Sequence, residues 1–174
     1  MREVSLFTAV SLDMMLAGPN GEIDWLFHDQ DYGYRAFLDR VDTLIMGRKT
    51  FQLVESWGAW PYAGRTTYVF SHKVIKQQPP PNVTFVRENP AEFTRRLKAQ
   101  SGRTIWLVGG GEINALLLAK DLVDEMILSI HPLWLGNGIP LAKPNPKALS
   151  SKWRLTTHRA YPTGLLQTHW QRQR

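Results

Sequence analysis

Residues 44–51 read Leu-Ile-Met-Gly-Arg-Lys-Thr-Phe, and residues 104–113 read Thr-Ile-Trp-Leu-Val-Gly-Gly-Gly-Glu-Ile. Each stretch is an apolar run with strand character, followed by glycine and then by a segment with helical character. A strand that enters a helix through glycine presents backbone N–H groups at the helix N-terminus, which suits a phosphate. Because the first turn also has the adjacent cations Arg48 and Lys49, the two stretches together predict a phosphorylated dinucleotide lying across one sheet.

Neither glycine turn is specific alone, because glycine at a strand-to-helix junction often serves only backbone geometry. The G-x-G-x-x-G fingerprint is absent, since the three glycines at 109–111 are followed by Glu112, Ile113 and Asn114. The chain also has no P-loop and no G-x-S-x-G nucleophile turn. The prediction therefore depends on the occurrence of both turns in this order.

Composition points to one ordinary globular domain spanning residues 1–174. Hydrophobic residues make up 43% of the chain and charged residues 21%, which predicts a packed core. Cysteine is absent, which excludes disulfides, thiolate zinc sites and a cysteine nucleophile. The five histidines show no zinc-binding spacing, so no metal site is predicted.

The formal net charge of +6 favours an anionic ligand, either a nucleotide or a nucleic acid. The densest basic run, Arg95-Arg96-x-Lys98, is predicted to form the wet face of an amphipathic helix. Together with the basic segment 169–174, that face defines a rival class, a nucleic-acid-binding domain. No apolar stretch reaches about 18 residues and no leader sequence is visible, so we expect a cytoplasmic protein without a membrane partner.

Strand and helix signals alternate up to about residue 120 and then change to antiparallel β-structure, which predicts a largely parallel sheet. The predicted strands are Val4–Val10, Thr43–Met46, Thr66–Phe70, Val83–Val86, Thr104–Val108, Asp124–His131, Trp153–Tyr161 and Leu165–Gln171, the last two forming a hairpin. The predicted helices are Asp31–Arg40, one beginning at Lys49–Val54, one from Asn89 to about Gln100, and Glu112–Lys120. The predicted loops are Ser11–Trp25, the aromatic segment Trp57–Gly64, and the proline-rich segments Gln77–Asn82 and Pro140–Pro146.

These landmarks resemble the dihydrofolate reductase superfamily over nearly the whole chain. The resemblance rests on residues 9–13 (Ala-Val-Ser-Leu-Asp), the turn at 46–51, Pro61-x-x-Gly64-Arg65, Ser71, the turn at 108–111 and residues 124–128. Residues 131–138 (His-Pro-Leu-Trp-Leu-Gly-Asn-Gly) are more similar to the reductase domain at the C-terminal end of the riboflavin-biosynthesis deaminase–reductase. The resemblance implies a three-layer α/β/α fold with a mixed, mostly parallel sheet, a C-terminal antiparallel hairpin and NADPH across the strand ends.

By motif position, the resemblance implies a set of cofactor contacts. The resemblance implies that Arg48 is the main partner of the 2′-phosphate, a role that the phosphate-binding geometry of a guanidinium suits. The implied turns and flanking contacts are Gly47, Lys49, Thr50, Ser71, His72, Val108, Gly109, Gly110, Gly111, Glu112 and Ile113, with Ala9 and the mobile-loop residue Leu16 at the nicotinamide. A cis Gly–Gly bond is implied within the second turn. Glu112 has two readings, since a carboxylate suits a helix N-terminus but repels a pyrophosphate.

The implied acid and substrate residues each have a structural alternative. Counting back from Gly47 places the acid at Asp31, with Asp29 as neighbour, but aspartate here also caps helices. If catalytic, the acid needs burial and a raised pKa to hold a proton near pH 7. Arg65 is implied to bind a substrate anion or to form a surface ion pair, and Trp57 to wall a flat heterocycle or to pack.

The resemblance implies an NADPH-dependent reductase of a small heterocyclic substrate. The 5-amino-6-(5-phosphoribosylamino)uracil reductase reaction of riboflavin biosynthesis is the first expectation, and dihydrofolate reduction is the alternative. This chain has Asp13-Met14 where the riboflavin reductases usually have Asp-Gly, and the Pro-x-Asp context of the acid is missing. A nucleotide-binding relative without catalytic activity is therefore a further alternative. A homodimer is also expected from the resemblance.

Overall fold

The computed structural model describes residues 1–75, 78–145 and 150–174. Its strands are β1 (Val4–Val10), β2 (Met15–Ala17), β3 (Val41–Gly47), β4 (Thr66–Phe70), β5 (Val83–Val86), β6 (Thr104–Gly109), β7 (Glu125–Ile130), β8 (Ile139–Pro140), β9 (Lys152–Ala160) and β10 (Leu166–Gln173). Its helices are α1 (Tyr34–Asp39), α2 (Arg48–Glu55), α3 (Pro90–Ala99) and α4 (Gly111–Ala119). In these ranges, no helix is long and apolar enough to cross a bilayer.

The main sheet has eight strands in the order β5-β4-β3-β6-β1-β7-β10-β9. The pairs from β5 through β7 are parallel, because each intervening connection returns the chain to the same edge. β10 pairs antiparallel with both β7 and β9, so the C-terminal hairpin predicted from the sequence is confirmed. A small antiparallel sheet joins β2 to β8. The predicted mixed, mostly parallel sheet is thus the observed one.

Helices cover both faces of this sheet and create two apolar layers. On one face, Leu97 of α3 and Leu117 of α4 pack with Val4, Leu6 and other strand residues in one buried cluster. On the other face, Phe37 of α1 and Phe51 of α2 belong to a second cluster, which includes Leu44, Met46 and Trp106. Burial of these side chains is the main favourable contribution to folding. The presence of helices on both faces of the sheet confirms the predicted three-layer α/β/α arrangement.

The segment predicted as one long loop, Ser11–Trp25, contains strand β2, so that prediction was wrong in part. Met15 pairs with Pro140 and Ala17 with Ile139. Gly138 permits this approach, because a Cβ there would lie 2.2 Å from the carbonyl oxygen of Ala17. The proline-rich loop Pro140–Pro146 accordingly begins with the last residue of β8, while residue 146 lies outside the described residues. The same holds for Gln77 of the predicted connector Gln77–Asn82.

Helix α1 begins three residues later than the predicted Asp31–Arg40. Tyr32 has a φ of +51° and Gly33 a φ of +79°, and left-handed residues cannot continue a right-handed helix. Helix α3 begins where its signals predict. The side chain of Asn89 accepts hydrogen bonds from the backbone N–H groups of Ala91 and Glu92, and proline occupies the first turn.

The predicted wet face of α3 is wrong at Lys98. This side chain is only 6% exposed, and its ammonium forms an ion pair with Asp124, whose side chain is 8% exposed. The same carboxylate accepts hydrogen bonds from the backbone N–H of Val4 at 2.8 Å and from the guanidinium of Arg174 at 2.6 Å. Asp124 therefore joins α3, β1 and the end of β10. Arg96, by contrast, forms an exposed pair with Glu88.

Candidate functional site

The two glycine turns meet at the carboxyl edge of the parallel strands. Gly47 ends β3 and pairs in register with Phe70 of β4, directly before Ser71. On the other side of β3, Met46 pairs with Gly109, the last residue of β6. Parallel strands carry their following loops to one edge, so sequence positions 47, 71 and 109 become neighbours. Ligands of open α/β sheets bind in the crevice at this edge.

Two helices start at this edge with their first N–H groups uncapped by side chains. Helix α2 follows Gly47 and helix α4 follows Gly110, and neither of these N-cap residues forms a side-chain cap. The hydroxyl oxygen of Thr50 accepts a hydrogen bond from the backbone N–H of Gly110 at 3.1 Å, which ties the two turns together. Uncapped N–H groups and two helix dipoles make this edge suitable for an anion with several phosphates.

The second turn has space only for glycine. Gly109 has a φ of +110°, a conformation that other residues rarely adopt. A Cβ on Gly111 would lie 2.5 Å from the carbonyl oxygen of Pro140. The cis Gly–Gly bond implied by the resemblance is wrong for this structure, because every described peptide bond is trans.

Two lysines, Lys143 and Lys49, lie near the N-terminus of α4. Glu112 extends to solvent, with 73% of its side chain exposed, and forms an ion pair with Lys143. The hydrogen bond and charge of Lys143 lower the pKa of Glu112, and Lys49 and His72 add to this effect. This exposed position agrees with the helix-end interpretation of Glu112. Because Lys49 and His72 both act on the Glu112 carboxylate, the first turn and the end of β4 lie near the second turn.

The remaining predicted cofactor residues lie along the same edge. Arg48 is in the first turn of α2, and its guanidinium donates to the side chain of Gln52 at 2.8 Å. Ser71 is buried, and its hydroxyl closes a local turn with the backbone of Lys73. Val108 packs against the cluster beneath α1 and α2, and Ile113 packs against the cluster beneath α3 and α4. The structure thus brings the predicted set together, and the ligand role of each residue stays a prediction.

Hydrogen bonds within the loop and to residues 135 and 136 hold the loop that is implied to cover the nicotinamide. Leu16 lies in β2, and Ala9 lies near the end of β1. The carboxylate of Asp13 accepts hydrogen bonds from the Ser11 hydroxyl and from two backbone N–H groups at 135 and 136, which lower its pKa. Met14 has a φ of +60°, so it adopts the left-handed conformation that the glycine expected here would favour.

Asp29 and Asp31 do not meet the condition set for a proton donor. Asp29 is exposed and accepts a hydrogen bond from the Tyr32 hydroxyl at 2.6 Å, which lowers its pKa rather than raising it. Asp31 is also exposed, and its carboxylate accepts from the backbone N–H of Arg35 at 3.2 Å. These contacts match the helix-start alternative for Asp31. The catalytic role of either residue stays a prediction that this geometry does not favour.

Arg65 and Trp57, the two predicted substrate residues, lie in different surroundings. The guanidinium of Arg65 donates to the carbonyl oxygens of Leu38 at 3.0 Å and Val41 at 3.2 Å, so it fastens the end of α1 to β3. Trp57 is 58% exposed. It lines a cleft of about 620 Å³ with Glu22, Ile23, Asp24, Leu26 and His28. Only Trp57 of this pair therefore faces a space that could take a heterocycle.

His131 begins the stretch 131–138 that carries part of the resemblance, but the sequence patterns assigned it no role in the site. It follows β7 directly, is only 3% exposed, and bonds through its backbone N–H to the carbonyl of Val10. Its ring accepts a hydrogen bond from the backbone N–H of Phe27 at 3.2 Å. Asn114 was also missed as a site residue. Its amide donates to the Leu141 carbonyl, and its buried oxygen, without a hydrogen-bond partner, lies beside Gly109.

In the parts of the chain that the structure describes, no group of acidic and histidine side chains could hold a metal ion. The candidate site instead combines a sheet edge with two helix N-termini, which is suitable for an anion, and a cleft lined by Trp57. The mostly parallel eight-stranded sheet with helices on both faces defines an α/β protein of the dihydrofolate-reductase-like fold class. Comparison with known proteins gives the family.

The chain belongs to the family of RibD C-terminal domains, whose model matches residues 2–167. A curated relative, the uncharacterized protein YwjB of Bacillus subtilis, is 41% identical over 144 residues, which are 80% of this chain and 82% of YwjB. A putative riboflavin biosynthesis protein from Shewanella sp. PV-4 has a similar structure, with a TM-score of 0.85, 30% identity and full coverage of both chains.

Dihydrofolate reductase from Enterococcus faecalis, solved with NADP(H), shares the fold. Its TM-score is 0.70 at 14% identity, and the match covers 99% of this chain and 97% of that one. The family and the fold are those of reductases.

Proposed function

We propose that this protein is an NADPH-dependent reductase that transfers hydride to a carbon–nitrogen unsaturated group of a small heterocyclic substrate. The observation that carries the proposal is the meeting of two uncapped helix N-termini at one sheet edge, joined by the bond from Gly110 to Thr50. Lys49 adds positive charge there. Bound NADPH would supply the hydride.

The residues present fit this cofactor. The backbone N–H groups after Gly47 and Gly110 would bind the phosphates, since glycine leaves the approach to the backbone open. Arg48 would bind the 2′-phosphate, because its guanidinium lies in the first turn of α2, where it contacts the uncharged amide of Gln52. Ala9 and Leu16 would contact the nicotinamide. The paired strands β2 and β8 would exclude water from the reacting atoms.

The first substrate proposal is 5-amino-6-(5-phosphoribosylamino)uracil, because the chain belongs to the RibD C-terminal domain family. Dihydrofolate is the alternative, supported by the shared fold. Trp57 and the cleft beside it would receive the heterocycle. We also propose a cytoplasmic location and a homodimer. The nucleic-acid alternative is weakened because Lys98, Arg96, Arg172 and Arg174 all form ion pairs with carboxylates.

The test is binding of NADPH and NADH to the wild type and to Arg48→Ala. We expect NADPH to bind the wild type more tightly than NADH. Loss of the charge-assisted bonds from Arg48 should weaken NADPH binding roughly 10- to 100-fold and leave NADH binding nearly unchanged, since such bonds contribute about 1.5–3 kcal/mol. Quenching of tryptophan fluorescence measures both affinities.

Arg96→Ala is the matched control, because it removes the same charge from α3 on the opposite face of the sheet. It should leave both affinities unchanged. If the wild type binds neither cofactor, the reductase proposal fails. If Arg48→Ala weakens NADPH and NADH equally, Arg48 does not recognise the 2′-phosphate.

A further inference from the structure

Segment 22–28 forms one wall of the cleft and has two sides with different surroundings. Leu26 and His28 line the cleft together with Trp57. The rings of Trp25 and Phe27 instead pack on the imidazole of His131, with centroid distances of 5.2 Å and 4.9 Å. From residue 24 to residue 28, residues that line the cleft thus alternate with residues that rest on His131.

The hydrogen bonds of His131 define one protonation state. Its Nδ1 lies 3.1 Å from the carbonyl oxygen of Ser129, which can only accept, so Nδ1 carries the proton. Its Nε2 faces the backbone N–H of Phe27, which can only donate, so Nε2 carries none. The imidazole is therefore neutral. A proton added to Nε2 would oppose the N–H of Phe27 and remove that bond.

The backbone of His131 is fixed at the sheet edge that carries the proposed cofactor site. Its N–H donates to the carbonyl of Val10, the last residue of β1, at 2.8 Å, and its carbonyl accepts from Leu133 at 2.8 Å. Val10 follows Ala9, the predicted nicotinamide contact. His131 thus connects the strand beneath the cofactor to the segment that walls the cleft.

We infer that His131 is a positioning residue, whose neutral ring holds segment 22–28 against the end of β1 and thereby sets the position of the cleft wall. The effect on substrate binding rests on the proposed function. The attachment of segment 22–28 to His131 does not depend on that function and can be tested separately. Substrate binding depends on the wall, whereas cofactor binding at the glycine turns does not. His131 acts through Phe27 and does not touch the substrate.

The surroundings of the His131 ring keep it neutral, and so keep its hydrogen bond to Phe27, to a lower pH than for an ordinary histidine. Burial lowers the pKa of His131, although hydrogen bonding to Ser129 and the charge of Asp29 oppose the shift. His28 is a further titratable group that acts on the ring, and it also favours the neutral form. The lowered pKa means that the ring stays neutral at pH values where an ordinary histidine gains a proton. The wall is then released only as the pH falls through this lowered pKa.

Amide hydrogen exchange of segment 22–28, followed by NMR on the full chain, tests the inference. His131→Phe keeps a ring against Trp25 and Phe27 but removes the acceptor, so the protection factor of the Phe27 amide should fall about tenfold. His131→Gln places an amide oxygen near the position of Nε2 and should restore protection. The wild type should lose protection only as the pH falls below the ordinary histidine pKa of about 6.5, whereas His131→Gln should show no such step. His158→Phe, the same change at an exposed position of β9, should match the wild type.

Steady-state NADPH oxidation supplies the second readout. With 5-amino-6-(5-phosphoribosylamino)uracil or dihydrofolate, His131→Phe should raise KM for the substrate several-fold, and NADPH affinity should not change. If the Phe27 amide is as protected in His131→Phe as in the wild type, the inference is wrong. If protection falls but KM does not change, the segment does not position the substrate. If the wild type binds no NADPH, the proposed function fails, and the exchange data alone decide whether His131 holds the segment.

Discussion

Asp124→Asn should lower the free energy of unfolding by about 3–5 kcal/mol, because it leaves the buried ammonium of Lys98 without its counter-charge. The amide has nearly the same shape as the carboxylate, so the loss reflects charge rather than volume. It also weakens the bonds to Arg174 and to the backbone N–H of Val4. Urea denaturation at pH 7 measures the difference.

Glu88→Gln is the control for this prediction. Arg96 lies on the same helix as Lys98, and this substitution removes the charge of its partner. Because the Arg96–Glu88 pair is exposed, it should contribute less than about 1 kcal/mol. Equal losses from the two substitutions would show that the Lys98–Asp124 pair contributes no more than a surface pair.

The wild type should also lose this stabilisation in acid. Burial acts to raise the pKa of Asp124, but hydrogen bonds from Lys98, Val4 and Arg174 outweigh it and lower the pKa below the ordinary 3.8. A carboxylate with a lowered folded-state pKa stabilises the fold above its unfolded pKa, and the stabilisation disappears as the pH falls through the folded value. The stability of Asp124→Asn should therefore change less than that of the wild type below about pH 4.

Gly111→Ala should reduce NADPH affinity at least about 100-fold. The added Cβ would lie 2.5 Å from the carbonyl oxygen of Pro140, a backbone atom that no side-chain rotation can move away. Either β8 or the first turn of α4 must shift, and the N–H groups proposed to bind the phosphates would shift with it. Loss of two charge-assisted bonds, each contributing about 1.5–3 kcal/mol, accounts for the expected change. Fluorescence titration with NADPH provides the measurement.

Gly64→Ala is the matched control, because no atom lies within 4 Å of a Cβ at that position and its backbone is not left-handed. It should bind NADPH as the wild type does. Circular dichroism of Gly111→Ala must show a folded protein for the comparison to hold. Wild-type NADPH affinity in folded Gly111→Ala would mean that the N-terminus of α4 does not bind the cofactor.

Local sequence signals predicted those elements whose stability is decided locally or by simple burial. The bounds of β1, β4 and β5 agree with the predicted strands, because each is a short apolar run between turn residues. Helix α3 was found because Asn89 and Pro90 are start signals in themselves. The two glycine turns and their cations were found for the same reason, since strand, glycine and helix follow one another in the chain.

The features that were missed depend on partners far away in sequence. Strand β2 has three residues and exists because β8 lies beside it. Lys98 is buried because Asp124, 26 residues later, provides its counter-charge. The partner of His131 at Phe27 is 104 residues away. No periodicity or motif within a short window contains these pairings, so their consequences for the site became visible only in three dimensions.

The central position of β1 has a consequence for how the chain folds. This apolar strand occupies the middle of the sheet, but its neighbours are β6 and β7, and Val4 pairs with Ile105 and Ser5 with Glu125. Until β6 and β7 have been synthesised and have paired with it, Val4–Val10 remains an exposed apolar segment that can aggregate with other chains. Contacts between residues so distant in sequence slow folding and prolong this exposure. Substitutions in β6 or β7 can therefore lower the yield of folded protein even when the molecules that do fold are nearly as stable as the wild type.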